Sequence, residues 1–286
     1  ATSARPSDDR RRRVRLLVRR NAGGSRDAPF YEYAIQDGVT SPSPDSGLRY
    51  GRPLVLTRGE PVSITVVNQL DEPTAVHWHG IELESYFDGV PGFSGAGKRL
   101  APAIAPGDSF VARFTPPRAG TFIYHTHFDE ERQQLAGLVG PIVVIEPGVR
   151  YDPATDRAII ITSPTSFADQ QRLVSVDGQL NPAPLVLRAG VAYRLRFLNM
   201  TVRRPTLQVD LMRDSTLLQW RLIAADGASL PGAHSPTQAH RLIALGETFD
   251  VEVTPGVPGD QRLEIRIGGR FPPHTLLGTL PVRVVP

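Results

Sequence analysis

The chain has 286 residues, 40% of them hydrophobic, which is enough for two domains with cores of ordinary size. It contains no cysteine, which excludes disulfides, thiolate nucleophiles and a copper site of the two-histidine, one-cysteine type within the chain. Net charge is +3, and the excess sits in one N-terminal run without the interleaved aromatics that would point to nucleic acid.

That run, Arg10 to Arg13 with Arg15, Arg19 and Arg20, reads as a solvated arm over residues 1–13 leading into a first strand near Val14–Val18. The opening Ala1-Thr2-Ser3-Ala4 has no Met and no apolar signal region, as expected of a processed or excised start. Further along, short alternating runs lie between Pro and Gly turns, the pattern of an all-β protein. No apolar run approaches the ~18 residues of a membrane span.

An internal repeat follows. Residues 53–68 read PLVLTRGEPVSITVVN and residues 184–199 read PLVLRAGVAYRLRFLN, with Gly59 matching Gly190 and Asn68 matching Asn199. Residues 104–110, IAPGDSF, parallel residues 243–249, IALGETF, and Asp88-Gly89 parallels Asp226-Gly227. Two β-sandwich domains of similar build are expected, over residues 14–148 and 149–286, joined through the turn-rich Glu146-Pro147-Gly148.

Four of the seven histidines fall in two short motifs of the first domain: His77-Trp78-His79-Gly80 and Tyr124-His125-Thr126-His127. On a strand, residues two apart share a face about 6.5–7 Å apart, so each pair points one way while Trp78 and Tyr124 turn to the opposite face. Two such strands side by side converge four imidazoles, which suits Cu, Zn or Fe. A gapless extension of the repeat sets Gln208 and Asp210 opposite His77 and His79, and Glu264 and Arg266 opposite His125 and His127. The second copy keeps its fold without imidazoles, so the histidines are not needed to build a sandwich. Asp88 reads equally as a proton relay or as a turn residue like its counterpart Asp226. Asp129, Glu130 and Glu131 read as a solvated loop, and the isolated His234, His240 and His274 as structural or surface residues.

HWHG followed by YHTH, approached through Ala105-Pro106-Gly107-Asp108 and Pro116-Pro117-Arg118-Ala119-Gly120-Thr121, resembles the multicopper oxidases, which are laccase-like enzymes built from cupredoxin sandwiches. The resemblance implies two tandem cupredoxin-like Greek-key domains. It also implies half of the ligands of a trinuclear copper cluster, with His77 on the type 2 copper and His79, His125 and His127 on the type 3 pair. At such a cluster dioxygen is reduced to water. The family's HXXHXH and HCH motifs, and with them the type 1 copper that takes electrons from a small reducing substrate, are not in this chain. The missing half is expected from an HCH-bearing cupredoxin partner. The chain is then the C-terminal half of a larger bacterial oxidase, periplasmic or extracellular, or else a separate subunit that meets its partner noncovalently. By itself it is expected to be inactive. A copper-binding protein without oxidase activity, or a structural or interaction module descended from oxidases, is the alternative.

Overall fold

A computed structural model describes residues 11–24, 29–37, 50–165, 169, 173–202, 206–232, 235–269 and 275–286; Arg10, His234 and His274 lie outside the described residues. The first half of the chain contains β1 (Arg12–Arg20), β2 (Tyr31–Asp37), β3 (Leu54–Thr57), β4 (Val62–Asn68), β5 (His77–His79), a two-strand ribbon of β6 (Gly95–Ala96) and β7 (Arg99–Leu100), β8 (Ser109–Phe114), β9 (Gly120–His125), helix α1 (Glu130–Leu135) and β10 (Val139–Ile145). One sheet runs β2-β1-β4-β8 and the other β3-β10-β9-β5. Alternation builds the core between them: in β4, Val62, Ile64 and Val66 point inward while Ser63, Thr65 and Val67 are half-exposed. From the facing sheet Leu54, Leu56, Trp78, Phe122, Tyr124 and Ile142 complete the same core.

The arginine run is not an arm at its inner end. Arg12 to Arg20 form a nine-residue strand, because Val14, Leu16 and Val18 alternate into the core. The intervening arginines meet acidic neighbours: Arg12 pairs with Asp37 at 2.5 Å, Arg19 with Glu32, and Arg20 with Asp71 at 2.8 Å. Largely exposed pairs such as the first and last contribute little, about 0–1 kcal/mol each.

The second half repeats the plan with additions. Its strands are β11 (Asp156–Thr162), β12 (Ser175–Val176), β13 (Leu185–Arg188), β14 (Tyr193–Met200), β15 (Thr206–Arg213), β16 (Thr216–Leu217), β17 (Gln219–Ala225), β18 (Ala228–Ser229), β19 (Thr237–Gln238), β20 (His240–Ala244), β21 (Thr248–Val253), β22 (Gly259–Ile267) and β23 (Leu276–Val285). The order β12-β11-β14-β21 restates β2-β1-β4-β8, and β13-β23-β22-β15 restates β3-β10-β9-β5. Parallel pairs recur at the same places, β1 with β4 and β11 with β14, β3 with β10 and β13 with β23. Its core is separate, centred on Phe197, Trp220 and Phe249.

The repeated Asn and Gly have a common job. Gly107 N–H donates to Asn68 O (2.9 Å) and Gly246 N–H to Asn199 O (2.8 Å). The buried amides return the bond, Asn68 Nδ2 to Ile104 O at 2.8 Å and Asn199 Nδ2 to Ile243 O at 3.1 Å. Both glycines have φ 79°, a left-handed turn that favours glycine.

The two sandwiches meet through the outer faces of β9 and β14. Ile123 and Val139 of the first pack on Ile160, Leu198 and Met200 of the second. Beside them Arg196, 2% exposed, donates to both oxygens of Asp156 (2.5 and 2.7 Å), to Asp250 (3.0 Å) and to Thr121 Oγ1 (2.8 Å). Thr121 Oγ1 donates in turn to Asp250 at 2.6 Å. Along β9, Thr121, Ile123 and His125 are successive residues of one face. The contact with the second sandwich therefore runs directly into the first histidine of YHTH.

Candidate metal centre

Trp78 and Tyr124 aim the histidines. Both are fully buried in the first core, their rings 6.4 Å apart, and the Tyr124 hydroxyl donates to Arg52 O at 2.9 Å. With those two side chains locked inward, strand alternation turns His77, His79 and His125 outward. β5 pairs antiparallel with β9, placing His77 directly opposite His125. One ring nitrogen from each of His77, His79 and His125 lies within 4.8 Å of the others. His127, just past the end of β9, stands with its ring 5.5 Å from His77 and 5.9 Å from His125. All four line one cavity of about 540 Å³.

Two of the rings are held by their Nδ1 atoms. His77 Nδ1 is 2.9 Å from Asp88 O, and His125 Nδ1 is 2.7 Å from Thr126 O. A carbonyl only accepts, so each Nδ1 carries the proton and each Nε2 presents a lone pair. His125 Nε2 is buried without a hydrogen-bond partner among the described residues. Burial, together with His77 and His79, pushes the His125 ring down to about 3, and burial and His77 also lower His79. His77 moves the other way: burial opposes its charge, but the carboxylate and carbonyl of Asp88 outweigh that and raise it. A buried, neutral imidazole with an orphaned nitrogen is what a soft or borderline metal ion needs. The residues present fit copper.

Asp88 and Asp226 are not equivalent turns. Asp88 closes a 3₁₀ turn (Ser85–Phe87) with φ −62°, whereas Asp226 has φ 46°. Asp226 accepts from Thr248 N–H at 3.0 Å, while a carboxylate oxygen of Asp88 lies 3.2 Å from His77 Nδ1. Gly89 makes that approach possible: a Cβ there would stand 1.8 Å from Val76 O. The acidic stretch expected as a loop is the start of α1. Its Gln133, fully buried, receives the hydroxyls of Thr126 and Thr74 at 2.8 Å each, clipping the middle of YHTH to the approach to β5. Gln133 was not legible as a site residue; the helix-forming run Glu130-Glu131-Arg132-Gln133-Gln134-Leu135 was the available signal.

The second sandwich differs from the gapless expectation by two residues. His125 pairs with His77, whereas Glu264, its counterpart, pairs with Asp210 rather than Gln208. Asp210 therefore stands where His77 does and Met212 where His79 does; a one-strand slip of two preserves the face. These positions hold a charged network: Gln208 donates to Asp210 (2.6 Å), His240 Nδ1 meets Asp210 at 2.7 Å, and Glu264 is paired with Arg262 (2.7 Å) and Arg266 (2.5 Å). His240 is thus an exposed structural partner. The second sandwich still reaches the histidine cavity, because Met200, Thr201, Leu245 and Gly246 form its far wall.

Residues 47–148 match the sequence profile of a family described as multicopper oxidase. A copper resistance protein A homolog of Pseudomonas syringae pv. tomato is 43% identical over 112 residues, 39% of this chain and 17% of that protein. Multicopper oxidase MmcO of Mycobacterium tuberculosis is 36% identical over 107 residues, 36% of this chain and 19% of that protein. The matched segments thus span less than a fifth of these relatives' length. Among solved structures, a multi-copper oxidase from Pseudomonas Thermotolerans superposes with TM-score 0.65 at 26% identity, over 96% of this chain and 63% of that one. McoA from Aquifex aeolicus, at TM-score 0.71 and 19% identity, covers 95% of this chain and 61% of that one and shows the common fold. Fold and site define a tandem cupredoxin-like protein with an imidazole cluster on its first sandwich. The first sandwich is the part of the chain that matches the multicopper oxidase family.

Proposed function

We propose that this chain contributes half of a trinuclear copper cluster to a laccase-like oxidase, with His77 on a type 2 ion and His79, His125 and His127 on a type 3 pair. The observation that carries the reading is the buried, unpartnered Nε2 of His125 within a convergent set of imidazoles. An unsatisfied buried polar atom costs about 1–3 kcal/mol, a cost that a metal ligand recovers on binding. Copper held there supplies the redox chemistry by which dioxygen is reduced to water.

The chain's own residues orient and exclude. Asp88 O and Thr126 O hold the Nδ1 protons of His77 and His125, so that both rings ligate through Nε2. Asp88 stays ionised: burial opposes its charge, but His77 and Ser94 bring its carboxyl below the ordinary carboxylate value. That suits orienting His77 better than donating protons at neutral pH. His125 is buried, at the edge of a cavity whose far wall is the second sandwich.

The remaining ligands come from an HCH-bearing sandwich elsewhere in the polypeptide or in a partner chain, which also carries the type 1 copper and meets the reducing substrate. No described helix is long and apolar enough to cross a membrane. The full chain should take up Cu(II), and His77→Ala with His127→Ala should lose that uptake while unfolding at the same midpoint to within about 1 kcal/mol. Without its partner it should show no oxygen consumption with a phenolic substrate. A folded chain that ignores Cu(II), or a double variant that does not fold, would leave the alternative module reading in place.

A further inference from the structure

His79 is held differently from its neighbours. His77 and His125 each have Nδ1 tied to a carbonyl, but no hydrogen bond reaches either ring nitrogen of His79 among the described residues. Its orientation rests on packing. On one side are the rings of His77 (5.5 Å) and His125 (5.7 Å). On the other is Gly246 of the second sandwich, where a Cβ would stand 3.0 Å from Cε1 and 3.2 Å from Nε2 of His79.

The turn that presents Gly246 is firmly built. Gly246 N–H donates to Asn199 O, Asn199 Nδ2 to Ile243 O, and Glu247 N–H to Ala244 O at 3.1 Å. The Glu247 carboxylate closes it by accepting from Ala244 N–H at 2.6 Å. The first sandwich has the same turn, with Gly107 at the same φ of 79°, but nothing lies within 4 Å of a Cβ there. One repeated turn therefore faces open space in one copy and a histidine in the other.

We propose that the turn over residues 243–247 is a positioning element of the histidine centre, with Gly246 forming the wall that sets where the His79 ring stands. The second sandwich, which has no imidazole at its own equivalent positions, is on this view a working part of the site. The proposal deepens the copper reading and rests on it for its effect on affinity. The contact itself does not depend on that reading.

The repeat provides the control. Gly246→Ala and Gly107→Ala impose the same left-handed strain on alanine, so both should lower the thermal midpoint similarly. Calorimetric titration of the full chain with Cu(II) should show Gly246→Ala binding about tenfold more weakly and Gly107→Ala binding as the parent does. Equal affinity in the two variants overturns the proposal. In the metal-free parent chain, a proton NOE from the Gly246 α-protons to His79 Hε1 is expected. Its absence overturns the proposal even where Gly246→Ala fails to fold. Failure of the parent chain to bind Cu(II) removes the copper reading, and the NOE then decides the positioning claim alone.

Discussion

The two sandwiches solve one problem with opposite chemistry. Each has a strand pair whose outward residues are polar and largely covered: β5 with β9, and β15 with β22. In the second, carboxylates and guanidinium groups satisfy one another, as Glu264 does with Arg262 and Arg266. In the first, imidazole rings crowd together and the buried Nε2 of His125 has no hydrogen-bond partner among the described residues. The fold tolerates both. What separates them is that the second face is complete as it stands and the first has unspent binding capacity.

The comparison breaks most severely if the sandwiches are uncoupled. Arg196→Met leaves Asp156 without its buried counter-charge and Asp250 with Arg194 alone, and we expect a loss of about 3–5 kcal/mol in urea unfolding. Preserved stability would mean that the two units hold together without the Arg196 network, by the Ile123–Leu198 packing and the remaining hydrogen bonds across the contact.

Acid sharpens the contrast. A ring held down near 3, as His125 is, stays neutral when folded but takes a proton on unfolding below about 6.5. Its contribution is whole above 6.5 and is lost as pH falls toward 3, at up to about 1.4 kcal/mol per pH unit. Glu264 is lowered instead: burial opposes its charge, but Arg266 and Arg262 more than compensate. Its contribution is present above about 4.5 and lost as pH falls through the lowered value. At pH 5 hydrogen exchange should therefore speed up in β5 and β9 before β15 and β22. Uniform acceleration would show that the histidine cluster is not the acid-sensitive element.

The smallest effect concerns the two Asp-Gly turns. Asp88→Asn removes the carboxylate that raises His77, so the His77 titration should move down by NMR while unfolding changes by less than about 1 kcal/mol. Asp226→Asn should leave His77 in place.

Much of this was legible in the sequence for a physical reason. Alternation at period two is local, so Trp78 and Tyr124 announce both the core and the opposite face that carries the histidines. The repeat is likewise local, and its glycines and asparagines mark a turn that both copies need. Pairing register is not local. The two-residue slip that puts Asp210 rather than Gln208 at the place of His77 is settled by which strand lies opposite, and parity alone hides it. Asp88 was ambiguous because its pairing with Asp226 reflects a shared dipeptide and not a shared backbone conformation. Gln133 and Gly246 were missed because each acts across a distance in the chain, from a helix and from the other sandwich.

The outer face of β9 also has a mechanical meaning. Thr121 bonds to the second sandwich, Ile123 packs on it, and His125 faces the cavity, each one side-chain step of about 6.8 Å from the next. A strand slides only by whole steps if its side chains are to stay on their faces. The docked sandwiches therefore engage like a toothed rack rather than a smooth bearing. A shift of the second sandwich along β9 therefore acts on the strand that carries His125.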